Sequence, residues 1–121
     1  MAKSVLIVED DPDILDVFKQ IVESTGFDVK VADSGERAFE MLSNGHFDAM
    51  VLDIMLPRVD GFEVARRVKA DPKTSNIVII AVTALDIPNI LEKCKAAGAA
   101  ELLLKPFEPK ALINLLHKYI G

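Results

Sequence analysis

Three short runs, Val5 to Val8, Ala49 to Leu52 and Ile77 to Val82, are apolar at every position. A strand with one face in water alternates apolar and polar residues. A run with no polar member therefore belongs in a sheet covered on both faces, which means a parallel sheet between layers of helix. Two further runs complete the set. Leu102 to Leu104 is again apolar throughout, whereas Phe27 to Val31 alternates, with Asp28 and Lys30 opposed to Phe27, Val29 and Val31, and reads as an edge strand. Segments of helical period separate the runs. Ile14, Phe18, Ile21 and Val22 form one stripe, and Leu112, Leu115, Leu116, Tyr119 and Ile120 form another. This alternation predicts repeated βα units: an α/β fold with a doubly wound, five-stranded parallel sheet and helices on both faces.

The punctuation fits the same scheme. Pro12 and Pro109 suit first-turn positions, with Asp11 and Glu108 as caps, and Gly26, Gly45 and Gly98 fall where helices should stop. Asp60-Gly61 reads as a turn before the third helix, with Gly61 tolerating a positive φ. No linker or low-complexity stretch divides the 121 residues, so residues 1–121 are expected to form one domain without an output domain.

Charge and cysteine content narrow the class of function. The formal charge is -5, and the lysines are scattered among acidic residues, so no basic face is expected for direct nucleic-acid binding. Cys94 is the only cysteine and no apolar run reaches the length of a membrane span. The N-terminus lacks a signal-peptide core, so the cytoplasm is the expected compartment and no membrane partner is expected. Cys94 shares a stripe with Ile90, Leu91 and Ala97 and is expected to be a buried, inert thiol. His46 and His117, near helix ends, are expected to be exposed and not catalytic.

In an open parallel sheet, ligands bind outside the carboxyl ends of the strands. The first run ends in Glu9, Asp10 and Asp11, the third in Asp53, the fourth in Thr83, and the fifth in Lys105 followed by Pro106. Asp11 before a first-turn proline is most simply an N-cap. The remaining carboxylates, Glu9, Asp10 and Asp53, would repel one another at a shared rim unless a cation were present. A compact all-oxygen site suits Mg²⁺, with Mn²⁺ as its substitute.

With these residues in hand, the chain resembles a response-regulator receiver domain of the chemotaxis-regulator type, over its whole length. The resemblance rests on Val5-Leu-Ile-Val-Glu-Asp-Asp11, Val51-Leu-Asp-Ile-Met-Leu-Pro-Arg-Val-Asp-Gly61, Ala81-Val-Thr-Ala84 and Leu104-Lys-Pro-Phe107 in this order and spacing. It implies the flavodoxin-like strand order 2-1-3-4-5 and a role in two-component signalling. A sensor histidine kinase or histidine phosphotransfer protein would donate a phosphoryl group to Asp53 in a Mg²⁺-dependent step. Glu9, Asp10, Asp53 and the backbone carbonyl of Met55 would hold the metal. Thr83, the Ala84 N–H and Lys105 would bind the phosphoryl oxygens, and the Lys105-Pro106 bond would be cis. Such a domain catalyses its own phosphorylation and slow dephosphorylation without being an enzyme for other substrates. It would signal to a downstream protein through the surface of the fourth helix, fifth strand and fifth helix.

Two departures matter. The resemblance implies an aromatic switch residue three positions before the lysine, and here that position is Leu102. Leu102 would then share the switch with Thr83 without a ring to bury. Met55 and Leu85, flanking the expected site, are both apolar, which predicts a shielded and longer-lived acyl phosphate. Met55 also stands where a phosphatase using Asp53 as nucleophile would need a second Asp, which argues against that alternative. A phosphorylation-independent interaction module of the same fold is opposed by the intact set of five polar residues, and a flavin-binding reading by the lack of a phosphate loop after the first strand.

Overall fold

Because successive side chains on a strand point to opposite faces, each fully apolar run feeds two cores. The computed structural model describes residues 2–121 and contains β1 (Ser4–Val8), α1 (Pro12–Glu23), β2 (Asp28–Ala32), α2 (Gly35–Asn44), β3 (Ala49–Asp53), α3 (Gly61–Ala70), β4 (Val78–Thr83), α4 (Ile90–Ala97), β5 (Glu101–Leu104) and α5 (Pro109–Ile120). The strands form one parallel sheet in the order β2-β1-β3-β4-β5. Val5, Ile7, Val51, Ile80 and Val82 face α1 and α5, where they meet Phe18, Val22, Leu112 and Leu116. Leu6, Val8, Met50, Leu52, Ile79 and Ala81 face α2, α3 and α4. This is the doubly wound, flavodoxin-like arrangement expected from the apolar runs and the resemblance.

β2 is an edge strand, as its alternation indicated, though it begins one residue later than read: Phe27 lies just ahead of it, buried. β3 and β4 include Asp53 and Thr83 as their last residues, because the ladder continues through the pairs Asp53 with Val82 and Thr83 with Leu104. Leu91 departs from the apolar stripe of α4 and is exposed, while Ile90, Cys94 and Ala97 are buried. Burial pushes the Cys94 thiol pKa up, which keeps it protonated and inert. His46 is exposed beside Asp48, and His117 is exposed with its ring 5.4 Å from that of Phe27.

The helix starts explain how the loops at the carboxyl rim are held. Asp11 caps α1 by accepting from the Asp13 and Ile14 N–H groups at 2.9 and 3.3 Å, and Asp60 caps α3 by accepting from the Glu63 N–H at 2.9 Å. Glu108 flanks α5 but makes no side-chain cap bond, since its longer side chain suits the cap position poorly. Gly61 is not in the positive-φ region. It is needed for closeness instead: a Cβ there would stand 2.5 Å from both the Asp53 carbonyl oxygen and the Ile54 Cα. The start of α3 thus rests directly on the backbone that carries Asp53. Among the described residues, no helix is long and apolar enough to cross a membrane.

Candidate functional site

Parallel pairing puts every strand's carboxyl end on one rim, and the polar residues read from the sequence collect there. Glu9 follows β1 and is pinned by its N–H to the Ala32 carbonyl of β2 at 3.1 Å. Asp53 closes β3. Both are almost fully buried, at 2% and 4% exposure, while Asp10 is exposed. One carboxylate oxygen from each of Glu9, Asp10 and Asp53 lies within 4.8 Å of the others. Lys105 reaches in from just beyond β5 and donates to Glu9 Oε2 at 2.8 Å and to Asp53 Oδ2 at 3.0 Å. The peptide bond between Lys105 and Pro106 is cis.

Burying two carboxylates side by side is costly unless positive charge accompanies them. The ammonium supplies one charge for two groups, and the shortfall shows in the acidity of Glu9. Burial, reinforced by Asp53, pushes the Glu9 carboxyl up to about 7 despite the lysine. For Lys105, burial works against the charge, but its bonds to Glu9 and Asp53 prevail and hold its pKa above the ordinary lysine value. The donor set is three carboxylates with no sulfur or imidazole, the chemistry of a hard divalent cation, so these residues fit Mg²⁺ or Mn²⁺.

A backbone group orients the Asp53 carboxylate. Asp53 Oδ1 accepts from the Met55 N–H at 2.9 Å, leaving Oδ2 toward Lys105. The sequence reading looked to Met55 for its carbonyl; the structure adds this N–H. Thr83 is fully buried, and its hydroxyl accepts from the Leu85 N–H at 3.0 Å. That bond uses a lone pair and keeps the hydroxyl proton available for donation. Its own carbonyl accepts from the Lys105 N–H at 2.8 Å, which ties β4 to the lysine loop. Ala84 is exposed. Met55 is 54% exposed, whereas Leu85 packs against the core facing α2, α3 and α4, leaving Met55 as the apolar side chain free near the site. Leu102 is half-buried, pairs with Ala81 across the sheet, and joins the same core.

One contact was not anticipated. The Lys105 ammonium stands 5.7 Å from the ring centroid of Phe18, and that ring packs on Phe107 at 5.5 Å. In the sequence Phe18 is one apolar member of a helical stripe, and nothing in its spacing points to a lysine far along the chain.

The family model described as the response regulator receiver domain matches residues 5–117. The polar-differentiation response regulator DivK of Brucella ovis is 32% identical over 121 residues, covering all of this chain and 98% of that protein. The chemotaxis protein CheY4 of Vibrio cholerae superposes with a TM-score of 0.92 at 27% identity, covering 99% of this chain and 100% of the other. The receiver domain of the sensor histidine kinase PA1611 of Pseudomonas aeruginosa PAO1, solved with a magnesium ion coordinated in its active-site cleft, superposes with a TM-score of 0.90 at 30% identity. It covers 100% of this chain and 99% of its own.

Proposed function

The chain belongs to the response regulator receiver domain family, and from that premise we propose that Asp53 takes a phosphoryl group from the phosphohistidine of a sensor kinase or phosphotransfer protein. Asp53 attacks phosphorus through a carboxylate oxygen, the new O–P bond forming as the donor's N–P bond breaks and the imidazole leaves. Hydrolysis later adds water to phosphorus, breaks that O–P bond, and returns the carboxylate and inorganic phosphate.

Phosphoryl transfer depends on positioning and charge stabilisation more than on covalent help. Glu9, Asp10, Asp53 and the Met55 carbonyl are the groups to hold Mg²⁺, which when bound neutralises charge on the carboxylates and the phosphoryl oxygens. Lys105 transfers its ammonium from the carboxylates to a phosphoryl oxygen. Thr83, its hydroxyl proton free, donates to a second, together with the Ala84 N–H. The shift of Thr83 is felt by Leu102 on the neighbouring strand, which changes rotamer and alters the surface of α4, β5 and α5 that a downstream protein reads. The whole of residues 1–121 acts as one receiver, in the cytoplasm.

The observation that carries this reading is the Lys105 ammonium seated between the buried Glu9 and Asp53 carboxylates, with Asp10 completing an oxygen cluster beside it. Intact-mass analysis after incubation with acetyl phosphate tests it. A Mg²⁺-dependent gain of one phosphoryl group, absent in Asp53→Asn, is the expected result. No adduct and no phosphate release would favour an interaction module, and phosphate release without an adduct would favour a phosphatase.

A further inference from the structure

The Lys105 ammonium carries three N–H donors; among the described residues it bonds to Glu9 and Asp53 and stands over the face of the Phe18 ring. The first two are carboxylates that the proposed reaction claims for other purposes. Asp53 becomes the acyl phosphate, and both belong to the oxygen cluster that suits a divalent cation. During the exchange, Lys105 must leave these oxygens and find a phosphoryl oxygen. Its flexible four-carbon stem also offers a way out into solvent. Of these three, the ring is the one for which neither phosphate nor metal competes.

The ring is itself held firmly. Phe18 is 7% exposed, anchored in the core between α1 and α5, and buttressed by Phe107, which follows the lysine by two residues. An aromatic face within about 6 Å of an ammonium attracts it electrostatically, and more strongly where water is scarce. Here only 17% of the Lys105 side chain is exposed. An aliphatic side chain at position 18 would fill the same core space without this attraction.

The geometry points to Phe18 as a positioning residue for Lys105, its ring keeping the ammonium over the site while the carboxylates change partners. This rests on the reading of Asp53 as phosphoacceptor. It assigns to α1 a part in the chemistry that its apolar stripe does not suggest.

The test uses the full chain with Phe18→Leu and Phe18→Met as aliphatic replacements and Phe18→Tyr and Phe18→Trp as aromatic ones. The rate of phosphoryl gain from acetyl phosphate is expected to fall about fivefold in both aliphatic variants, as expected if the lost attraction acts in the transition state. The aromatic variants should restore it to within about twofold of the unsubstituted chain. The Mg²⁺ concentration giving half the maximal rate should stay within about twofold throughout, since the ring is not one of the oxygen groups proposed to hold the metal. A second readout needs no phosphorylation: by NMR, hydrogen exchange of the Lys105 ammonium with water should accelerate in the aliphatic variants and not in the aromatic ones. Loss of phosphoryl gain in the unsubstituted chain would sink the acceptor reading while leaving the ammonium readout to decide the role of the ring. Equal ammonium exchange in Leu and Phe chains, or aromatic variants as slow as aliphatic ones, would overturn the proposal.

Discussion

At the carboxyl rim of the sheet, Lys105 donates to two carboxylates. At the amino rim, where α3 runs down toward the start of β4, Lys69 donates to two backbone carbonyls, those of Ser75 and Ile77. Both side chains are half-buried, and both lie along a neighbouring element, Lys105 over the Phe18 ring and Lys69 across the face of Gly98. Their acidities nevertheless move in opposite directions. Burial lowers the Lys69 pKa, while the carboxylates overcome burial and raise that of Lys105. Carbonyl dipoles satisfy the hydrogen bonds of an ammonium without matching its charge; carboxylates do both. The first arrangement clips a loop to a helix. The second stores a cation where phosphoryl charge would arrive.

The sharpest way to break this comparison is to remove each ammonium in turn. Lys105→Met should slow phosphoryl gain by about a hundredfold, the scale of losing one charge-stabilising donor, and Lys69→Met should leave it within about twofold. Intact-mass time courses with acetyl phosphate decide, and comparable losses in both variants would erase the distinction.

The next largest effect concerns what each lysine lies against. Gly98 ends α4 at φ +112 and a Cβ there would run into Lys69. Gly98→Ala should therefore cost about 2 kcal/mol, read from urea unfolding, with the phosphoryl-gain rate preserved. Gly61→Ala, pressed on the Asp53 carbonyl, should lower both stability and rate.

A third test uses pH. The Glu9 carboxyl is raised from 4.5 to about 7 in the folded protein, so the folded state holds its proton more tightly than the unfolded chain. Stability from this group is complete below pH 4.5 and is lost as pH rises through about 7. Urea midpoints in EDTA should fall between about pH 4.5 and 7, the span between the two acidities, and level off above it, and the fall should shrink in Glu9→Gln. The smallest effect is a direct sharpening: followed by NMR, Lys69 should lose its proton before an ordinary lysine and Lys105 after it.

Much of the carboxyl rim was legible in the sequence because polar residues at the ends of apolar runs are themselves a pattern. Glu9, Asp53, Thr83 and Lys105 each interrupt a run whose direction in the sheet is already known, so topology alone brings them to one rim. Other features carried no such mark. Phe18 belongs to a helical stripe whatever stands above it. The Met55 and Leu85 N–H groups that hold Asp53 and Thr83 are backbone donors that any residue would supply. Lys69 looks like any lysine near the end of a helix, and its clip depends on how the following loop folds back. Gly61 was noticed for the wrong property, since a glycine chosen for close approach and one chosen for a positive φ look alike in sequence. Periodicity reports which face a residue occupies, and not what meets it there.

The three parts of the rim are far apart along the chain: Lys105 bonds to Glu9 across 96 positions and to Asp53 across 52. Closing such separations costs more chain entropy than closing short ones. During synthesis, β1 and β3 leave the ribosome with their carboxylates well before the lysine that neutralises them. A chain that lacks β5 and α5 thus has the Glu9 and Asp53 carboxylates without their counter-charge, and under the proposed function phosphoryl transfer would begin only once β5 has docked and brought Lys105 to the rim.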